Sequence, residues 1–560
     1  MSSNILDDIA PCDLELPEKF RQFREVQCEL VDFVLYGPEK NGEVRRFMMC
    51  GAPPGSGKTL VAQAIAKMSG AKTVILTATK ALEDQIVNDG FLCSNIRGKA
   101  NYQCEDYDQL HTEQRWNCDE GLEHACQFAD RPVCPYRARL LEAQDARVVV
   151  TNVAYWLHAR ANNRHALETA DEPIELLIAD EMHLAFNALA GFLGVWVSNQ
   201  DLRRFADKEV REALAESKGE ESGRLEPRWT DALVEVWKNV TRRMREIARE
   251  YETEAQASRG SKEYRALEKL SGNLARIVTH AQAEELSREE RMREGEKPNW
   301  LWRLTKSGIA FDCIWPGRYA ERYLWSGVPR VVGLSASLRP KALGLLNMRQ
   351  GDYWFREWAR IFPAELSPVY WVPTGRMGHK TPTEEKWKSI VRADEIYDEW
   401  REYKGIVHTT SYQNAEWYQA NCKWGRHMVL SKPGEQGIAA EKYKLARAPC
   451  LLVSPSFTTG WDFPEEDCGF QHIPKLPFPD RSDPVLLARV EDDDSYYSYL
   501  TMQTLFQACG RKSRRPDQRC TTIITDDAVK GFRNYAAQYA PRYFRVRDSK
   551  GVPKAPKRVE

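Results

Sequence analysis

Residues 45–70 read RRFMMCGAPPGSGKTLVAQAIAKMSG. Arg45–Cys50 has the apolar density of a short buried strand. From Lys58 onward, Leu60, Val61, Ala64 and Ile65 recur at helical spacing until Gly70 stops the pattern. Between them lies APPGSGKT, a glycine-rich turn in the strand–turn–helix setting that a phosphate-binding loop needs. Gly55 and Gly57 let the backbone curl so that its N–H groups, with that of Ser56, face phosphate oxygens. Lys58 then reaches the outer phosphates, and the Thr59 hydroxyl is placed for Mg²⁺.

Working outward, TVILT (73–77), RVVVTN (147–152) and IELLIADE (174–181) are strand-like runs separated by helical segments. That alternation predicts an α/β lobe around a parallel sheet. IELLIADE ends in Asp180 and Glu181, two carboxylates at a strand tip, where such sheets bind ligands. Asp180 is expected to hold Mg²⁺, Glu181 to polarise the attacking water, and His183 to relay between nucleotide and the rest of the site. Residues 189–297 are charged, amphipathic and almost free of strand signal, predicting an inserted helical domain; a long bridging coiled segment is the alternative.

Strand character returns at RVVGLSASL (330–338), and Pro363, Pro368, Pro373 and Pro382 mark a linker region. GIVHTT, CLLVSP and CTTIIT then outline a second α/β lobe. Its QACGRKSRR places Gln507, Arg511 and Arg514 on one helix face, suited to a γ-phosphate. The loop TTGWD offers Gly460 and Asp462 to nucleotide or phosphate backbone, with Trp461 either core or a stacking platform. The Pro/Lys-rich tail 546–560 is expected to be disordered.

The chain has 560 residues and a formal net charge of −1, so several domains are expected and no global basic field marks a polyanionic partner. The N-terminus is acidic, with no apolar run behind a basic start, and no stretch suits a transmembrane helix. A cytoplasmic protein with reduced thiols is expected. Against that background Cys104, Cys118, Cys126 and Cys134 crowd one polar stretch, with Cys93 just before it. Metal binding explains them better than disulfides. The absence of a close Cys pair favours an iron–sulfur cubane over zinc, although His111 and His124 are available as zinc ligands and Cys93 competes as a thiolate.

APPGSGKT, DEMH, LSASL, GWDFP and QACGRKSR together resemble motifs I, II, III, V and VI of superfamily 2 helicases, in that family's order. LTATKALEDQ resembles motif Ia, GIVHTTSY motif IV, and FREVQCEL the upstream glutamine element, with Gln27 as an adenine contact. GKANYQC, CPY, VVVTNVAYWL, YWVPTGRM and PKLPFPD narrow the likeness to the XPD/DinG type. Met182 stands where a small residue is commoner, and Ser337 where Thr often stands.

The resemblance implies two RecA-like motor lobes, a [4Fe–4S] cluster on Cys104, Cys118, Cys126 and Cys134, and a helical Arch-like insert. It thereby divides the chain into lobe 1 (1–103, 135–190 and 299–365), the cluster insert (104–134), the Arch-like insert (191–298) and lobe 2 (366–545). It also implies ATP-driven 5′→3′ movement on single-stranded and forked DNA. A monomer is expected, and the compact length suits a prokaryotic or viral source. A remodelling ATPase acting on RNA or on protein–DNA complexes, and a non-catalytic scaffold, are the alternatives.

Overall fold

The computed structural model describes the chain apart from residues 1–5, 7–8, 41–44, 106–116, 120–132, 162–166, 170, 218, 252, 254–260, 288–295, 379–380, 458–462, 464–467, 511–518 and 557–560. Lobe 1 is built on a seven-stranded, all-parallel sheet. In chain order its strands are β1 (Phe47–Gly51), β2 (Thr73–Thr77), β3 (Ser94–Asn95), β4 (Val148–Asn152) and β5 (Leu176–Asp180). Insert strands β6 (Val195–Ser198), β7 (Ser222–Arg224), β8 (Trp300–Thr305) and β9 (Gly308–Cys313) follow. The sheet is then completed by β10 (Arg330–Ser335) and β11 (Tyr353–Glu357), giving the order β11-β1-β10-β5-β2-β4-β3. β1, β2 and β5 are buried along their whole length. Burial on both faces is why their sequences are unbroken apolar runs rather than alternating ones.

Lobe 2 repeats the plan with β12 (Val369–Gly375), β13 (Lys404–His408), β14 (Met428–Leu430), β15 (Cys450–Ser454), β16 (Phe470–Ile473), β17 (Thr521–Asp526) and β18 (Val546–Asp548). Their order is β14-β15-β13-β16-β17-β12-β18, again all parallel. The two RecA-like lobes expected from the sequence are therefore present.

Three features depart from the sequence reading. The insert is not purely helical. Helices Asn199–Glu216, Pro227–Ala248 and Lys262–Leu286 stand on an antiparallel sheet of order β6-β9-β8-β7. Residues 300–313, expected to reopen lobe 1, thus belong to the insert's base. Their strand signal is the aromatic hairpin WLWRLTKSGIAFDC, whose Trp300, Trp302 and Phe311 fill the insert's core. Second, Val369–Gly375 lies within the expected proline-marked linker region but forms a strand of the second sheet, between β17 and β18.

Third, the tail is docked up to residue 556. Trp400 Nε1 donates to the Pro553 carbonyl at 3.0 Å and the Tyr403 hydroxyl to that of Pro556 at 2.7 Å. Val552 and Ala555 pack on the lobe-2 core. Prolines that preclude a helix still suit an extended strap whose carbonyls are free to accept.

The inserts also touch each other: the Arg265 guanidinium donates to the Asp119 carbonyl, next to Cys118, at 3.3 Å. Among the described residues no helix is long and apolar enough to cross a membrane.

Candidate active site

The site lies along the carboxyl ends of four neighbouring strands of lobe 1. Pairing sets Glu357 of β11 beside Gly51 of β1, Gly51 beside Ser335 of β10, and Leu334 of β10 beside Asp180 of β5. Glu357, the start of the phosphate loop, Ser335 and Asp180 hang from this row, outside the sheet edge where α/β folds bind ligands.

The phosphate loop leaves the row at Ala52, which donates its N–H to the Ser335 carbonyl at 3.1 Å. Gly55 and Gly57 take positive φ angles of 79° and 73°, and Gly57 caps the helix Lys58–Ser69. These are conformations that L side chains avoid. The expected loop geometry is thus present, with Lys58 and Thr59 at the helix start. Gln27 sits beneath it: its Nε2 donates to the Ser56 carbonyl and its Oε1 accepts the Arg24 N–H, both at 2.9 Å. Arg24 in turn donates to the Gly55 carbonyl at 2.9 Å. In this structure Gln27 and Arg24 brace the loop's main chain from the helix Glu25–Lys40; the brace by Arg24 had no signal in the sequence.

Asp180 and Glu181 diverge because Glu181 adopts a left-handed conformation, φ 54°. The turn aims Glu181 at two partners: Lys58 Nζ lies 3.3 Å from its Oε1, and His183 Nδ1 lies 3.3 Å from its Oε2. Burial pushes the Asp180 carboxyl up, against the pull of Lys58. Burial would raise Glu181 too, but Lys58 and His183 hold it well below the usual carboxylate range. Glu181 is therefore held firmly ionised, as a residue that accepts or orients a water proton must be.

Ser335 is the residue the sequence reading missed. Its hydroxyl lies 2.7 Å from His183 Nδ1 and donates to Glu181 Oε2 at 3.2 Å, while accepting the Ser337 N–H at 3.2 Å. On the far side of the ring, His183 Nε2 bonds to the Gln507 side-chain amide, on the lobe-2 helix Ser495–Cys509. Because the amide nitrogen can only donate, His183 accepts at Nε2 and carries its proton at Nδ1. The result is one directional chain, Gln507 to His183 to Ser335 to Glu181, that crosses from lobe 2 to the Glu181 carboxylate. Met182 beneath it is accommodated by Gly333: a Cβ there would lie 3.0 Å from Met182 Cγ.

The cysteine insert is anchored to the same lobe. Arg97 pairs with Glu83, whose carboxylate also accepts Asn152 Nδ2 at 2.9 Å. This joins the segment before the cysteines to the motif Ia-like helix and to the end of β4. Cys104, Cys118 and Cys134 are all buried, and the Cys118 and Cys134 sulfurs lie 3.8 Å apart. Burial, together with Cys134 and Cys104 nearby, pushes the Cys118 thiol up to about 12. Such crowding keeps thiols neutral unless a cation joins them. Of the four predicted ligands, Cys118 and Cys134 are thus in contact, with Cys104 close enough to act on Cys118 electrostatically. Among the described residues, however, no group of three or more His, Cys, Asp or Glu is arranged to hold a metal ion. Cys93 stands apart, its thiol on the Phe91 carbonyl at 3.6 Å. Cys126, His111, His124, Gly460, Trp461, Asp462, Arg511 and Arg514 lie outside the described residues.

Comparison with known proteins fits this geometry. Residues 20–202 match the family described as type III restriction enzyme, res subunit, and residues 394–543 the helicase C-terminal domain family. No curated protein matches the chain. Among solved structures, an XPD helicase superposes with a TM-score of 0.59 at 13% identity, over 94% of this chain and 99% of that one. S. tokodaii Xpd4 superposes at 0.56 and 14%, over 92% and 98%, and an apo XPD structure at 0.53 and 12%, over 93% and 99%. The two family matches fall one on each lobe, and the fold is shared almost end to end with these XPD structures.

Proposed function

We propose that this helicase is a DNA translocase that hydrolyses ATP between its lobes and moves 5′→3′ on single-stranded DNA, separating the strands of forked duplexes. The observation that carries the reading is the unbroken chain from Gln507 of lobe 2 to Glu181 of lobe 1. Such a chain makes the hydrolytic carboxylate sensitive to where lobe 2 stands, which a motor needs and a passive scaffold does not.

In this reading the phosphate loop cradles the ATP phosphates and Lys58 leaves Glu181 to neutralise them. Thr59 and Asp180 hold Mg²⁺, which offsets phosphate charge. Glu181, kept ionised by its neighbours, orients the attacking water and takes its proton. Arg511 and Arg514 complete the charge from lobe 2, beside Gly460 and Asp462 of the motif V-like loop. DNA phosphates meet the motif Ia, IV and V-like segments with little reading of sequence.

Cys104, Cys118, Cys126 and Cys134 would hold a [4Fe–4S] cluster that staples the insert; support comes from the contact of the buried Cys118 and Cys134 thiols, the burial of Cys104, and the resemblance. Zinc is the other metal that suits such thiolates.

The test is ATPase and unwinding on forks with a 5′ or a 3′ tail, with RNA as a parallel substrate. Unwinding of the 5′-tailed DNA fork, abolished with the ATPase in Lys58→Ala while the circular dichroism spectrum is kept, is the expected result. Equal ATPase stimulation by RNA without strand separation would refute the DNA helicase reading.

A further inference from the structure

The strand-end row has two ends, and lobe 2 touches both. At the β5 end the contact is Gln507 on His183. At the β11 end it is Arg542, whose N–H donates to Glu357 Oε1 at 2.8 Å. Glu357 is pinned there: Arg339 grips both its oxygens, at 2.5 and 2.7 Å, and both side chains are almost fully buried. Its Cα and side chain press on Gly51, where an added Cβ would lie 3.3–3.4 Å from Glu357. Gly51 immediately precedes the phosphate loop, and the next residue, Trp358, donates its N–H to the Gly51 carbonyl at 3.1 Å.

Arg542 is consequently fixed at its main chain beside the loop, while its side chain is 94% exposed and only 3.8 Å from a carboxylate already committed to Arg339. Tyr543 follows, with its hydroxyl buried and without a hydrogen-bond partner. A guanidinium held by its backbone but not spent on a full ion pair is arranged to meet a ligand rather than the protein.

The ligand's orientation follows from the row. Mg²⁺ and the γ-phosphate belong at the β5 end, with Asp180 and Glu181. A nucleotide seated on the loop therefore directs its nucleoside toward β11. We infer that Arg542 is a nucleotide-contacting residue supplied by lobe 2 to the nucleoside end of ATP, and that Glu357 is the positioning residue that sets it there. This rests on ATP occupying the cleft as proposed above. It makes affinity for the nucleoside, and not only for the phosphates, depend on lobe closure.

Arg542→Ala in the full-length protein tests it. Its side chain is exposed, so the melting temperature should stay unchanged. KM for ATP should rise about tenfold, the scale of a lost charge-assisted hydrogen bond, with kcat within about twofold. Inhibition by inorganic tripolyphosphate, which lacks the nucleoside, should be unaltered, and Arg542→Lys should recover part of the loss. Glu357→Gln should raise KM alone and add nothing to Arg542→Ala. An unchanged KM for ATP in Arg542→Ala would overturn the assignment, as would a parallel weakening of tripolyphosphate. Multiplicative effects of the two substitutions would remove Glu357's positioning role. Lys58→Ala separates the two readings: hydrolysis surviving there would sink ATP binding at this loop, whatever Arg542 does.

Discussion

If the chain from Gln507 through His183 and Ser335 to Glu181 is one device, removing its links must not give independent losses. Gln507→Ala removes one neutral hydrogen bond, worth about 1 kcal/mol net, or roughly fivefold in turnover. His183→Ala removes that same bond, the bond to Ser335 at 2.7 Å and the contact with the Glu181 carboxylate at 3.3 Å. The last is charge-assisted, so the total comes to about 3 kcal/mol, or roughly a hundredfold. The double variant should be no slower than His183→Ala, because Gln507 acts only through the imidazole. Independent sites would instead multiply to about five-hundredfold. The assay is steady-state ATPase at saturating ATP and single-stranded DNA, with thermal melts to confirm that all three variants fold. A full fivefold penalty for Gln507→Ala in the His183→Ala background would refute the chain. So would wild-type turnover in Gln507→Ala alone.

Three further outcomes follow from local geometry. Gly57→Ala must adopt φ 73° with a methyl group driven onto the Gln27 amide. At about 1–2 kcal/mol for the backbone alone, affinity for a fluorescent ATP analogue should fall about tenfold or more, and unchanged affinity would contradict the loop assignment. Cys104→Ser should lose iron and unwinding while keeping most DNA-stimulated ATPase, since the insert stands apart from the strand-end row. A colourless, zinc-loaded wild-type protein would replace the cluster in that account. Truncation after Asp548 deletes the Trp400–Pro553 and Tyr403–Pro556 bonds and the Val552 and Ala555 contacts. The loss should be about 3 kcal/mol, seen as a lobe-2 melting transition lower by roughly 6–12 °C; an unmoved transition would show the strap to be passive.

What was legible in the sequence followed from how each signal is encoded. The phosphate loop, the Asp180–Glu181 tip and Gln507 were readable because each depends on a short contiguous pattern in a strand or helix setting. Ser335 was harder: it is a central residue of the relay, yet in sequence it is one serine of two in LSASL, and only the β10–β5 register sets it against Glu181. Glu357 and Arg542 carried no motif at all. Glu357 reaches the phosphate loop because β11 pairs with β1 across 306 positions, and Arg542, 185 positions further on, joins it through its own N–H; periodicity expresses neither contact. The insert's sheet was hidden by composition, since its short strands lie at the margins of a long charged helical stretch or, as β7 does, between its helices. The tail misled for a physical reason: prolines forbid regular structure, not docking.

The contacts of lobe 2 also bear on how the cleft speaks to the insert. The chain leaving Glu181 passes through Met182–Leu184 directly into the helix Ala185–Leu193 and then into β6, the insert's first strand. One turn beyond His183 on that path, Phe186 lies under the guanidinium of Arg489, 4.9 Å from its ring centroid. Arg489 belongs to lobe 2, is buried, and donates to the Ile314 carbonyl at 2.7 Å, just after β9 of the insert's sheet. From the same lobe-2 helix, Asp492 accepts Trp315 Nε1 at 2.9 Å and Arg224 at 2.7 Å. A rotation of lobe 2 large enough to break Gln507 from His183 must therefore drag or release Arg489 against the base of the insert. Buried charge-assisted contacts of this kind are costly to leave half-made, so the arrangement favours two discrete positions over a continuum. The Gln507–His183 contact and the root of the insert thus stand at two ends of one short stretch of chain, residues 181–198, and lobe 2 touches both ends, so a movement of lobe 2 acts on the cleft and on the insert together.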